Sequence, residues 1–480
     1  MAVPVLTDPQ PFLFLSHHAR QRPDTVAMST IERDYTFAET YAYARALAGL
    51  FRERGIAPGD VVACRVANSL QLFFLEAVFH EAAIWCNPPS DDVLLGPVGV
   101  DWLVSPTPVE GFAESRTIII DDDVLRGLNT STFVGAPRAY PSMDSVCRLT
   151  FSSGTTGVPL AIPSTVARQA NVNRDATDHY PFLSLMRGFV GSGAKSATNA
   201  MCEGDTFVCS GSPEDNVTLA QRNFVATIHG SPLQIAEFLD ILEQRENQET
   251  SIVDVQFIGS YLPQALLERI HRVLGATVTA LYGSSEVGYV TRRKPVTGDT
   301  HNVGRPLPTA EVQIVSVDGE VLPPMTEGIV RARTTRPNVR YFRADDETRE
   351  HVRDGWFYPG DLGRLNLEGE LELVGRASEV VNIGGVKFNP EVLDAKVVAM
   401  AGVTDAATVL WDTDSGPGYA VLVVTDDDFD VASLTDPIRI ASGGLTPAAI
   451  FRVPSIQRGV TGKVQRAAMA TWVRSVLDGA

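Results

Sequence analysis

Five short stretches of this chain carry residues that could do chemistry on anions. The first is Ser152-Ser153-Gly154-Thr155-Thr156-Gly157, directly after the apolar run Arg148-Leu149-Thr150-Phe151. A strand that ends in glycines and hydroxyls offers backbone N–H groups and side-chain donors to a phosphate, and glycine lets the backbone come close. The second is Tyr282-Gly283-Ser284-Ser285-Glu286. There an aromatic ring can stack on a base, a hydroxyl can donate to phosphate, and a carboxylate can hold Mg²⁺. The third, Gly355 to Gly363, places Asp361 after a glycine turn, where it could accept from the two hydroxyls of a ribose. The fourth runs from Gly375-Arg376 to Gly384-Gly385 and on to Glu391. It pairs a guanidinium suited to phosphate or ribose with two glycines that allow a narrow ligand close to the backbone. The fifth is Gly459-Val460-Thr461-Gly462-Lys463, a lysine on a glycine-rich loop ahead of the last helix. None is the P-loop pattern GxxxxGK[ST]. Gln457 stands where its first glycine would be, and Val464 follows Lys463. Each stretch taken alone also has the composition of an ordinary polar turn.

The elements around these stretches alternate. Residues 36–54 repeat apolar positions at helical spacing, and Gly55 follows as a stop signal. VVACRV reads as a strand and residues 70–84 as a second helix, the order of a parallel α/β sheet. Thr117 to Ile120, followed by three aspartates, reads as a buried strand that ends in a turn. Pro88, Pro89, Pro106, Pro108, Pro137 and Pro141 obscure the rest of that region. Strand, helix, strand recurs over 251–283. From 311 the period-2 alternation predicts antiparallel hairpins, and ELELV at 370–374 a further strand. The last hundred residues read as a small unit with a helix near 391–400, a strand near 419–425 and a final helix. The apolar positions of that final helix are Val464, Ala468, Trp472 and Val476.

Bulk properties set the outer limits. The 480 residues are 44 % hydrophobic and 20 % charged, a globular composition, and the length gives room for roughly three compact units. A net charge of −18 without a long basic run excludes a nucleic-acid partner. The five cysteines are widely spaced and include no CxxC pair, so neither a disulfide framework nor a zinc site is expected. No basic residue precedes the short apolar run at the N-terminus, and no apolar stretch is long enough to span a bilayer. The expectation is therefore a cytoplasmic protein without membrane insertion.

Together and in this order, the five stretches resemble those of the adenylate-forming superfamily. It comprises acyl- and aryl-CoA synthetases, adenylation domains of peptide synthetases, and firefly luciferase. The likeness runs over nearly the whole chain, to Gly462-Lys463-Val464-Gln465-Arg466. It implies an α/β fold. A large N-terminal domain, residues 1–377, would carry mixed sheets and a β-barrel-like portion, and residues 378–480 would form a small mobile α+β lid. It implies that Ser152 to Gly157 embrace the β- and γ-phosphates of ATP. Tyr282 would lie on the adenine, with Gly259-Ser260-Tyr261 opposite and Gly283 and Ser284 in the same nucleotide loop. Ser285 would touch the α-phosphate, Glu286 would hold Mg²⁺, and Asp361 with Arg376 would hold the ribose. Lys463 would bridge carboxylate and α-phosphate, and Ser378 would be the hinge. Gly384 and Gly385 would line a tunnel for the pantetheine of coenzyme A or of a carrier protein.

The acid's pocket would draw on Phe182, His229, Gly230, Gly259 and Gly283, with Lys195 and Arg187 as further polar candidates. No aspartate for an α-amino group is evident in residues 179–189, which favours an aryl or medium-size acyl acid. Several positions depart from the pattern. Leu160 replaces a loop lysine, and Ser285, Pro359 and Ser378 replace the usual residues. Ser260-Tyr261 stands in a glycine signature, and 88–145 is short. The expected activity is ATP-dependent formation of an acyl-adenylate and transfer to coenzyme A. The alternatives are transfer to a carrier protein, an amine or another nucleophile, or a degenerate nucleotide-binding relative without activity.

Overall fold

Local signals set the boundaries of the first long helix, Phe37–Arg54. The Thr36 side chain accepts from the Glu39 backbone N–H, and Glu39 accepts from that of Thr36 at 2.8 Å, a reciprocal capping box. Gly55 closes the other end with a φ of 97°. The next helix, Gln71–His80, is shorter than the 70–84 expected. Ala82 turns the chain at a φ of 55°, and Ile84–Cys86 is already strand. Every residue of that helix is buried, so no polar face marked its end in the sequence. The aspartates after Thr117–Ile119 likewise do more than turn the chain. The Asp121 side chain accepts from the Val124 N–H at 2.9 Å and caps a short helix, Asp122–Gly127.

The structure is a computed structural model. It describes residues 10–480 apart from 132–134, 153–158, 171–180, 187–190, 259–261, 295–301, 336–339, 378–380, 384–385, 399, 414–415, 459–463 and 478–480. Two compact units result, not three, because the last hundred residues group with the antiparallel part of the chain. One unit comprises residues 1–230, 237–255 and 336–353, the other 231–236, 256–335 and 354–480.

The first unit holds a six-stranded sheet in the order Thr117–Ile119, Trp102–Ser105, Val61–Cys64, Ile84–Cys86, Val146–Phe151, Ala161–Thr165. The first five are parallel and the last pair antiparallel. Both faces are covered, as a parallel sheet requires. Val62 and Cys64 face a core with Phe51, Phe74 and Trp85, while Val61 and Ala63 face Leu103 and Leu149. Beside the helices, Glu81 accepts from Arg52 at 2.7 Å and meets the His80 ring at 2.8 Å. Burial pushes that carboxyl up, but the hydrogen bonds from His80 and Arg52 outweigh it and hold it below its usual range. All five cysteines are buried and unlinked.

The second unit is antiparallel at its centre. Its strands follow the order Trp356–Phe357, Gly328–Thr334, Asp361–Leu365, Leu371–Arg376, Asn302–Pro306, Gly288–Arg293, Thr277–Ser284, with Ala310–Val315 on Gly328–Thr334. This confirms the hairpins expected from 311 and the α/β class. It corrects the barrel-like portion, since among the described residues these strands form an open path without a closing pair. Alternation fixes which side of a strand is buried, but closure depends on long-range register that alternation does not encode.

Residues beyond 380 build a three-stranded sheet of Val403–Thr413, Gly416–Thr425 and Ala449–Arg452, flanked by Pro390–Val398, Thr435–Ala441 and Arg466–Leu477. Among the described residues, its two hydrophobic clusters contain none earlier than Ile383. The final helix turns a different face inward from the one expected. Met469 and Val473 are buried, while Trp472 is 43 % exposed and Val476 is exposed as well. Apolar spacing at i, i+4 fits both stripes, and packing chose the neighbouring one.

Candidate active site

Asp361 stands at the start of its strand, 8 % exposed, after Gly360 in a left-handed turn with φ of 81°. Arg376 is its partner across the antiparallel ladder. The rung is prolonged by the Ala377 N–H donating to the Gly360 carbonyl at 2.7 Å. This register puts Arg376 Nε 3.3 Å from Asp361 Oδ1. The other carboxylate oxygen, Oδ2, accepts from the Tyr282 hydroxyl at 2.5 Å. Burial pushes the Tyr282 phenol well above its usual value, and the charge of Asp361 adds to that, so it remains a donor at any ordinary pH. Three expected site residues from three sequence stretches thus meet in one cluster.

Tyr282 lies two residues before the end of the strand Thr277–Ser284, whose turn into Gly288–Arg293 carries Ser285 and Glu286. Gly283 is required there, because a Cβ would lie 2.0 Å from the Gly288 carbonyl oxygen. Ser284 Oγ is buried with no hydrogen-bond partner among the described residues. A buried hydroxyl two residues along from Tyr282 that finds no partner among the described residues fits a nucleotide that brings its own acceptor. No cluster of three or more His, Cys, Asp or Glu among the described residues could hold a metal ion unaided. A carboxylate such as Glu286 suits Mg²⁺, which takes one or two carboxylates together with substrate phosphates.

In the other unit, Ser152 closes the base of the phosphate-loop candidate. Its N–H donates to the Leu160 carbonyl, and its Oγ accepts from the Leu160 N–H, both at 2.9 Å. Phe182 and His229 lie on adjacent parallel strands with ring centroids 5.7 Å apart, His229 and Gly230 both buried. Lys195 lies on the helix Gly191–Glu203. Ser153, Gly154, Thr155, Thr156, Gly157, Arg187, Gly259, Ser260, Tyr261, Ser378, Gly384, Gly385 and Lys463 lie outside the described residues.

The supports of these residues were harder to read in the sequence. Asn389 donates to the Val374 carbonyl at 3.3 Å and accepts from the Glu391 N–H at 2.9 Å, linking the strand of Arg376 to the helix Pro390–Val398. Asn-Pro ahead of a helix was the available signal. The Lys463 loop is closed at its base by an Arg458–Val464 bridge and by the Gln465 N–H on the Gln457 carbonyl at 2.9 Å. Arg458 reaches Asp405 and Arg466 reaches Asp394, each at 2.7 Å. Burial raises the Asp394 carboxyl, although Arg466 opposes this. No local sequence signal connects residues so far apart.

The fold is of mixed α/β architecture, and its antiparallel strands bring Tyr282, Asp361 and Arg376 together. The chain belongs to the AMP-binding enzyme family, whose model matches residues 15–80 and 103–339, and so to the adenylate-forming superfamily. It is 27 % identical over 355 residues to 2-hydroxy-7-methoxy-5-methyl-1-naphthoate–CoA ligase of Streptomyces carzinostaticus, covering 69 % of this chain and 63 % of that one. It is 25 % identical to 2-succinylbenzoate–CoA ligase of Bacillus subtilis strain 168, covering 94 % and 96 %. The solved structure of O-succinylbenzoate coenzyme A synthetase from Bacillus subtilis with ATP and magnesium superposes with a TM-score of 0.81 at 21 % identity, over 95 % of this chain and 98 % of that one. The likeness in fold therefore extends well past the family match.

Proposed function

We propose that this protein activates a carboxylic acid with ATP and passes the resulting acyl group to the thiol of coenzyme A, releasing AMP and pyrophosphate. The observation that carries the reading is the Asp361 carboxylate, held on both oxygens by Tyr282 and Arg376 in a chain of the AMP-binding family. In the first step a carboxylate oxygen attacks the α-phosphorus and pyrophosphate leaves. Two anions must meet, so positioning and charge neutralisation carry the catalysis.

On this reading Ser152 to Gly157 hold the terminal phosphates, Tyr282 and Gly259 to Tyr261 the adenine, and Asp361 and Arg376 the ribose. Ser285 holds the α-phosphate. Lys463 neutralises charge between carboxylate and α-phosphate, where a preorganised donor is worth about 10²–10³ in rate. Glu286 would hold Mg²⁺, which when bound offsets charge on the phosphates. In the second step the thiol attacks the acyl carbon and AMP leaves with its phosphate oxygen. Residues 378–480 are the lid that turns at Ser378 between the steps and brings Gly384-Gly385 to the pantetheine. Their separate sheet and hydrophobic clusters support such a division.

The acid is aromatic or of medium size. The relatives named above are ligases of aromatic acids, and the neighbouring Phe182 and His229 rings supply aromatic groups where the acid's pocket is expected. No described helix is long and apolar enough to cross a membrane, and we place the protein in the cytoplasm, where ATP and coenzyme A are drawn from common pools. A panel of aryl and acyl acids assayed for pyrophosphate release, with and without coenzyme A, tests the reading. Acid-dependent release with thioester formation is expected. Release without any discharge by coenzyme A would instead assign the acyl group to a carrier protein or an amine. No release with any acid would leave a nucleotide-binding relative without activity.

A further inference from the structure

Asp361 is anchored from two directions. Arg376 reaches Oδ1 along the neighbouring ladder strand, and Tyr282 reaches Oδ2 from a strand three places further along the sheet. Arg376 is part of the rung and moves with it. The phenol is different, because it comes from residue 282 and fixes rotation of the carboxylate about its own side-chain bonds. A stacking ring needs no hydroxyl, and a phenylalanine would serve an adenine equally well. The hydroxyl therefore has a separate job.

We propose that the Tyr282 hydroxyl sets the preference of this site for ribose over deoxyribose nucleotides, by locking the plane of the Asp361 carboxylate in the orientation that accepts from both hydroxyls of a cis-diol. The inference rests on the reading that Asp361 binds the ribose. A locked carboxylate in a largely desolvated place cannot turn to make good a missing hydroxyl, so a deoxy sugar leaves an acceptor unsatisfied. Released from Tyr282, the carboxylate rotates toward whichever hydroxyl or water remains, and the penalty for the deoxy sugar shrinks. The high phenol pKa keeps the lock closed across the working pH range.

Calorimetric binding of AMP, 2′-deoxy-AMP and 3′-deoxy-AMP to the full chain tests this without requiring turnover. The wild type is expected to prefer AMP, and Tyr282→Phe to lower that preference about tenfold, the loss of one hydrogen bond to a charged group. Arg376→Lys, which loosens the other oxygen, should move the ratio in the same direction and serves if Tyr282→Phe does not fold. In an Asp361→Ala background the preference should vanish, and Tyr282→Phe should change it no further. If Tyr282→Phe weakens all three nucleotides equally and keeps the wild-type ratio, the hydroxyl has no such role and the inference is overturned. If the wild type binds none of the three, the nucleotide reading itself falls.

Discussion

Asp361 and Lys463 divide the work of the proposed reaction, one holding the nucleotide and the other acting on the reacting atoms. Lys463→Ala should lower pyrophosphate release by about 10²–10³ and leave ATP affinity nearly unchanged, because a group used mainly at developing charge lowers kcat more than binding. Isotope exchange between pyrophosphate and ATP, read beside equilibrium binding, checks it. Wild-type exchange in the variant would remove Lys463 from the mechanism. The types of these residues were legible in the sequence, and so was their order. Their partners were not. Tyr282 and Asp361 are 79 residues apart, and nothing local in either stretch reports that a hydroxyl meets a carboxylate. Tyr282 was expected to offer a ring, and the structure shows that its oxygen is also engaged.

Elements explain why some glycines in these stretches cannot be exchanged. At Gly283 a Cβ would press on backbone atoms of Gly288 and Tyr289 in the paired strand, which cannot swing aside as a side chain can. Gly283→Ala should cost about 1–3 kcal/mol in chemical denaturation. Gly127→Ala, where nothing lies within 4 Å, should be close to neutral by the same measurement. The strand Val146–Phe151 carries a different strain. Arg148 is 7 % exposed, and its Nε and Nη1 have no hydrogen-bond partner among the described residues. Burial lowers that guanidinium to about 10, still charged at neutral pH. Replacing an unpaired buried charge by an apolar chain of similar length is expected to stabilise by about 1–4 kcal/mol, so Arg148→Met should raise Tm. The sequence showed the strand but not the cost of its arginine. It also showed the final helix while assigning it the wrong face, because two overlapping stripes satisfy the same period.

At the scale of the whole chain, stability should depend on pH through Glu76, which is 1 % exposed on Gln71–His80. Burial raises its carboxyl from 4.5 to about 8. The unfolded chain loses this proton above about 4.5 while the folded one keeps it to about 8. Stability from this group is therefore complete below the lower value and falls as pH rises between the two, by about 1.4 kcal/mol per unit. Glu76→Gln should melt close to the wild type at pH 5 and clearly above it at pH 8. Equal melting shifts at both values would refute the assignment. The proposed division at Ser378 makes a separate prediction. Ser378→Pro fixes φ at the hinge, and should spare pyrophosphate release while slowing discharge by coenzyme A, as single-turnover assays of the two half-reactions would show. The alternation of helix and strand made the parallel sheet legible from sequence. The grouping of the last hundred residues with the antiparallel strands was not, because it rests on packing between segments that carry no shared pattern.

The burial of all five cysteines has a practical side. Burial pushes Cys147 and Cys209 up to about 12, and it raises Cys64, Cys86 and Cys202 as well. None presents a thiolate to solvent near neutral pH. A colorimetric thiol reagent added to the native protein should therefore report coenzyme A alone, with no background from the catalyst. A single cysteine placed on the exposed face of the final helix, at Trp472 for instance, would be the one position a maleimide dye finds. That offers a clean label from which to watch the C-terminal segment through a catalytic cycle.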